Sequence, residues 1–321
     1  MNPDSTGRVR FRGAQVKQPI GNAFCLKKGL IKFRSASRHG TNYADEGADL
    51  TAMSNILSRL IATFVACILG SMTVAAAEIR VLSFPAAVTA VVLEGKIEAG
   101  DFDKFKNFIL NGDNAVEIYL ASPGGDLSEA MKIGALVRLL KLSTVVPSKT
   151  LTNQNRYLVV ARLNLKDPKA NYMCASACFF VFVAGVYRRS DELGPAILGI
   201  HRPSLSAASL QRLNYDQATA AENRTRTTVE NYLKVMDVPA KYAENMYSVP
   251  KGKIQWIRND EFAADFGGFI PELKDWVNAR CHNRPDMEKK NGEDCEKKAQ
   301  VELAQRAYGD ALARQQGKIP Q

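Results

Sequence analysis

The chain has 321 residues, 46% of them apolar and 24% charged, which excludes a wholly disordered polypeptide and allows one large hydrophobic core. Its formal net charge is +10, but half of that lies in residues 1–52, where Arg8, Arg10, Arg12, Lys17, Lys27, Lys28, Lys32, Arg34 and Arg38 face only Asp4, Asp45, Glu46 and Asp49. Beyond Ala77 the excess is about +4, too small and dispersed for a polyanion-binding face, so no nucleic-acid partner is expected.

Residues 1–52 read as a disordered basic head. After it, Arg59 precedes the apolar run Leu60-Ile-Ala-Thr-Phe-Val-Ala-Cys-Ile-Leu69, and small residues follow to Ala77. This is the order of a secretory leader: a basic start, an apolar stretch and an A-x-A-type cleavage site before Glu78. Met53 stands at the usual distance to begin such a leader, which places the head outside the translated protein. Residues 53–77 are therefore a signal peptide or, uncleaved, an inner-membrane anchor, since Leu60–Ala77 just reaches spanning length. Both readings place the remainder in the periplasm.

From Glu78 the pattern alternates between strand and helix. Thr89–Leu93, Ala115–Leu120, Ser143–Val146 and Ala196–Ile200 are short strand-like runs, and helices are expected over 101–110 and after Asp126. Asp126 with Glu129 has the spacing of a capping box. Pro147–Met173 reads as a polar insertion, with an extra strand over Tyr157–Ala161. The run Phe179-Phe-Val-Phe-Val-Ala184 is apolar all round, as a helix threading the core must be. Helices follow over about 209–235, 240–246, 261–266, 272–280 and 296–314. The class is α/β, a largely parallel sheet covered by helices over 78–280, with a C-terminal extension over 281–321 ending in a charged helix.

Of the six cysteines, Cys25 and Cys67 fall in the head and leader. Cys281 and Cys295 flank a short polar stretch and are expected to form a disulfide. Cys174 and Cys178 lack metal-ligand spacing, so neither a metal nor another cofactor is expected.

Three short motifs carry candidate chemistry. Ser122-Pro-Gly-Gly125 follows a strand and opens a helix; its glycines let backbone N–H groups approach a ligand, which suits a developing oxyanion. Ser176 stands between Ala175 and Ala177 at the head of the apolar run. A serine there is ordinarily a helix cap. His201, the sole histidine between Glu78 and the C-terminal extension, ends a strand and supplies the base that a serine hydroxyl needs at neutral pH.

In order and spacing these motifs resemble the ClpP family and the wider crotonase superfamily over about Val91–Phe269. In that pattern a strand leads to Ser-Pro-Gly-Gly, a small-residue motif holds the nucleophile, and a His-x-Pro motif, here His201-Arg-Pro203, lies 25 positions beyond it. The resemblance implies a crotonase/ClpP-like fold, Ser176 as nucleophile, His201 as base, and Gly124, Gly125 and Ala177 at the oxyanion and substrate-binding position. It also raises the expectation of a homo-oligomer. The family's third residue, an Asp, is missing: the chain reads Val249-Pro-Lys-Gly-Lys-Ile254 there, leaving another acid, a backbone carbonyl or a bare dyad. The Cys174-x-Ser176-x-Cys178 arrangement resembles exported ClpP-like proteins of bacteria. The implied function is an ATP-independent serine endopeptidase acting on peptides or unfolded proteins, with no ATPase partner. The alternative is a catalytically inactive binding or scaffold protein of the same fold.

Overall fold

Short runs separated by glycines and polar breaks form the strands, with β-branched residues in β1–β4 and β7 only. They are β1 (Glu78–Leu82), β2 (Ala90–Glu94), β3 (Glu117–Ala121), β4 (Ser143–Val146), β5 (Cys174–Ala175), β6 (Tyr187–Ser190), β7 (Leu198–Ile200), β8 (Gln255–Trp256) and β9 (Gly268–Phe269). The helices are α1 (Asp101–Asn111), α2 (Leu127–Leu139), α3 (Pro168–Asn171), α4 (Ala177–Phe182), α5 (Ala207–Leu210), α6 (Tyr215–Val235), α7 (Lys241–Ser248), α8 (Asn259–Asp265), α9 (Pro271–Cys281) and α10 (Lys289–Gln315). This computed structural model describes residues 76–82, 89–112, 114–149, 162–191, 194–205, 207–282 and 289–315. The basic head, the leader up to residue 75 and the strand expected over Tyr157–Ala161 lie outside them.

One sheet runs β1-β2-β3-β4-β6-β9, parallel from β2 to β6 and antiparallel at both edges; a second runs β5-β7-β8. Parallel strands are expected to be covered on both faces, and every residue of β2 and β4 is buried. The apolar run becomes α4, buried along its whole length, where Phe179 meets Phe266 edge-on and Phe182 stacks on Phe262. Thus α/β class and helical covering agree with expectation.

Local features depart from the sequence reading. Glu129 does not close a capping box: Asp126 Oδ1 accepts the Glu129 N–H at 2.9 Å, but the Glu129 carboxylate accepts from Gly100 N and Phe102 N at the start of α1. The Lys132 ammonium, then those N–H groups, holds Glu129 below the usual carboxylate range. The described half of the insertion is pinned to the sheet through Glu94, which accepts from Lys166 N, Asp167 N, Asn171 Nδ2 and Arg80. The C-terminal extension is docked on the core: Ala304 and Tyr308 join it, Tyr308 Oη donates to Ala115 O, and Gln300 donates to Val116 O. The expected Cys281–Cys295 disulfide is formed and joins α9 to α10.

Membrane attachment is corrected. Among the described residues no helix is long and apolar enough to cross a membrane. The two that have the length, α6 with 21 residues and α10 with 27, are studded with charge. Residues 60–75, on which the expectation rested, are outside the described part.

Candidate active site

Ser176 occupies the turn between β5 and α4. Its backbone has φ 59° and ψ −124°, a region that non-glycine residues adopt only when their surroundings force it. Several contacts supply that force. Ser176 N donates to Gly199 O of β7 at 3.0 Å, and Ala175 N donates to Ser122 O at 3.1 Å. A disulfide between Cys174 and Cys178, both fully buried, spans the turn. The short Cα–Cα separation of 5.3 Å across four positions suits a bridge, and the pair therefore closes a loop with Ser176 at its centre.

The Ser122-Pro-Gly-Gly turn lies against this elbow. Gly124 has φ 103°, and a Cβ placed on it would stand 2.5 Å from Ser176 Cβ, 2.7 Å from Ala175 O and 2.8 Å from Ala177 N. Only glycine fits a backbone approaching that closely. On its other side the turn is strapped to Ile97, whose N–H donates to Gly124 O at 2.8 Å and whose carbonyl accepts from Asp126 N. The Gly124 N–H itself is used, donating to Ser122 Oγ at 3.1 Å, so Gly124 makes space rather than offering a donor. Among the described residues the Gly125 and Ala177 N–H groups have no protein acceptor, and both residues line the cavity that holds Ser176.

His201 reaches the elbow from the end of β7. Its Nε2 is 2.5 Å from Ser176 Oγ, and its Nδ1 is 2.7 Å from the carbonyl oxygen of Arg202. A carbonyl only accepts, so Nδ1 carries a proton, and in the neutral ring Nε2 is left as the acceptor of the serine O–H. This is the tautomer a general base requires. Asp260 and Glu261, the acids nearest in sequence to the missing position, are engaged elsewhere: Arg258 donates its backbone N–H to Glu261 and its guanidinium to Asp260. The orienting group is thus a main-chain carbonyl. No residue-type signal marks such a group; Pro203, which confines the residue before it to extended backbone, is the one trace of it in the sequence.

The pair opens on a cavity of about 850 Å3. Leu127, Met131, Phe180 and Leu205 give it an apolar floor, while Arg224 and Thr228 of α6 line it from that helix. A site of this size, with a few convergent polar groups, is suited to part of a flexible substrate. Residues 162–173 of the insertion do not line it. The sequence-expected residues Ser176, His201, Gly124, Gly125 and Ala177 are brought together, whereas Arg202, Ile97 and Gly199, which hold them, were not foreseen. No protein-family model matches the chain and no curated protein does, so the case for its chemistry rests on this geometry.

Proposed function

We propose that the chain is an exported serine hydrolase of the peptidase type, akin to the ClpP/crotonase superfamily, that works on peptides or unfolded segments without an ATPase partner. The observation that carries the reading is the 2.5 Å contact between Ser176 Oγ and Nε2 of His201, made by a serine held at φ 59°. In the reaction Ser176 Oγ attacks the substrate carbonyl carbon while its proton passes to His201 Nε2. The oxyanion is received by the Gly125 and Ala177 N–H groups. His201 then returns the proton to the leaving amine, and water, deprotonated by the same nitrogen, releases the acyl group from Ser176. The two disulfides support an oxidising compartment.

The test is labelling of the purified chain with a fluorophosphonate, with the adduct located by mass spectrometry. Modification of Ser176 that is lost in Ser176→Ala and His201→Ala is the expected result. A folded chain that takes no label overturns the reading in favour of a catalytically inactive binding protein of the same fold.

A further inference from the structure

Two charged side chains line the cavity beside Ser176 and His201: Asp126 and Arg224. Asp126 is occupied in capping α2, accepting the Glu129 N–H at 2.9 Å, and it lies in the field of Lys132. Arg224 is in a different position. The other charged residues on this stretch of α6 are paired: Glu222 with Arg202, and Arg226 with Glu230. Among the described residues the Arg224 guanidinium has no hydrogen bond or ion pair; its bonds are those of the helix backbone, with Thr228 Oγ1 also donating to its carbonyl. Arg224 lies three positions from Ala221 and four from Thr228, so these three share one helical face, and all of them line the cavity. Beside the apolar members of the same lining, Met131, Phe180 and Leu205, Arg224 is, among the described lining residues, the one permanent cation available to a bound ligand.

We infer that Arg224 makes the Ser176 cleft selective for peptides bearing a carboxylate next to apolar side chains. A guanidinium offers a planar fork of donors that matches a carboxylate, and the apolar residues beside it in the lining suit apolar neighbours of that carboxylate. A neutral amide in the carboxylate's place keeps its shape and loses the charge, and an ammonium is repelled. The inference rests on the peptidase reading in taking the ligand to be a peptide, but binding can be measured without turnover.

The experiment uses the full chain carrying Ser176→Ala, so that peptides are bound and not cleaved. Fluorescein-labelled peptides of Ala, Leu and Gly, each with a single Glu, Gln or Lys scanned through its positions, are titrated and followed by anisotropy. At one scanned position Glu is expected to bind about five-fold tighter than Gln, with Lys weaker still. Arg224→Gln, an exposed change that leaves the core intact, is expected to level Glu and Gln; Arg224→Glu is expected to invert the preference towards Lys. Lys251→Gln, in the adjoining hollow, serves as a control that keeps it. Added salt narrows the Glu advantage. Equal affinity for the three series, absence of binding by all of them, or a Glu preference that survives Arg224→Gln overturns the inference. Fluorophosphonate labelling of the unmutated chain is run in parallel: label at Ser176 without acidic preference sinks this inference alone, whereas preference without label sinks the hydrolase reading alone.

Discussion

Gly124→Ala concentrates the geometry of the site into one methyl group. The added Cβ would lie 2.5 Å from Ser176 Cβ, while ordinary contact begins at 3.4 Å, so the elbow must give by about 0.9 Å. Ala175 O and Ala177 N, at 2.7 and 2.8 Å, block two other directions of escape. A displacement of about 1 Å at a reacting group costs roughly 100-fold in rate. The left-handed φ of 103° adds about 1–3 kcal/mol of backbone strain for a non-glycine residue, which appears as lost stability. Gly268→Ala separates the two effects: it shares a positive φ of 91° but meets nothing within 4 Å. The assay is the second-order rate of fluorophosphonate labelling at Ser176 beside thermal unfolding. Gly124→Ala is expected to lose about two orders of magnitude in rate, and Gly268→Ala is expected to lose stability at an unchanged rate. Equal rates for Gly124→Ala and the unmutated chain would refute the packing of the Ser-Pro-Gly-Gly turn against the nucleophile.

The two disulfides are expected to answer differently to removal. Cys174→Ser with Cys178→Ser frees the nucleophile turn and lowers the labelling rate by about ten-fold or more, whereas Cys281→Ser with Cys295→Ser costs about 3 kcal/mol of stability, read by denaturant unfolding, at an unchanged rate. Stability is also expected to fall on the acid side. Burial alone raises the Glu94 carboxyl, but the N–H groups of Asp167 and Lys166, with Asn171 and Arg80, outweigh it and hold the folded value below the ordinary 4.5. The stabilisation is therefore present above 4.5 and lost as pH falls through the lower folded value. Glu94→Gln is expected to lower the melting temperature at neutral pH and to flatten its fall below that point; an acid limb identical to that of the unmutated chain would rule out the assignment.

The readable parts of the fold were those whose side chains repeat with one period. β2, β3, β4 and β7 stand out as short apolar runs, and α1, α2 and α7–α9 as helical patterns with boundaries near those observed, whereas the helix expected over 209–235 is divided into α5 and α6 and α10 begins at Lys289 rather than near 296. β6 was hidden because Arg188 and Arg189 look like the polar end of the preceding apolar run. In the structure Arg188 is buried, and its guanidinium donates to the carbonyls of Gly185, Val183 and Met236. Arg189 pairs with Glu117 on β3 and donates to Tyr119. A cation satisfied by distant carbonyls leaves no local trace in the pattern. The docking of α10 was hidden for a related reason: its contact stripe is thin, Ala304 and Tyr308 with Gln300 as a hydrogen-bonding peg, inside a helix that otherwise reads as solvated. At the site, Ser176 and His201 were legible because hydroxyl and imidazole are rare, chemically distinct groups. The groups that orient them were not, because every residue owns an N–H and a C=O.

A base oriented by a main-chain carbonyl responds to mutation differently from one held by a carboxylate. A carboxylate behind the histidine would both fix its tautomer and stabilise the imidazolium formed during attack; the Arg202 carbonyl fixes the tautomer but brings only a dipole to the charge. Replacing the Arg202 side chain therefore leaves the orienting atom in place. Arg202→Ala removes an exposed ion pair with Glu222 and is expected to keep the labelling rate within about two-fold. Pro203→Gly removes no hydrogen-bond partner of His201, yet it releases the backbone restriction on Arg202 and lets the carbonyl swing away from Nδ1. Its labelling rate is expected to fall by about ten-fold, the scale of a loosened catalytic hydrogen bond, at a melting temperature close to that of Arg202→Ala. The opposite ranking, with Arg202→Ala the slower of the two, would mean that the side chain and not the main chain holds the base, and the tautomer assigned to His201 would have to be revised.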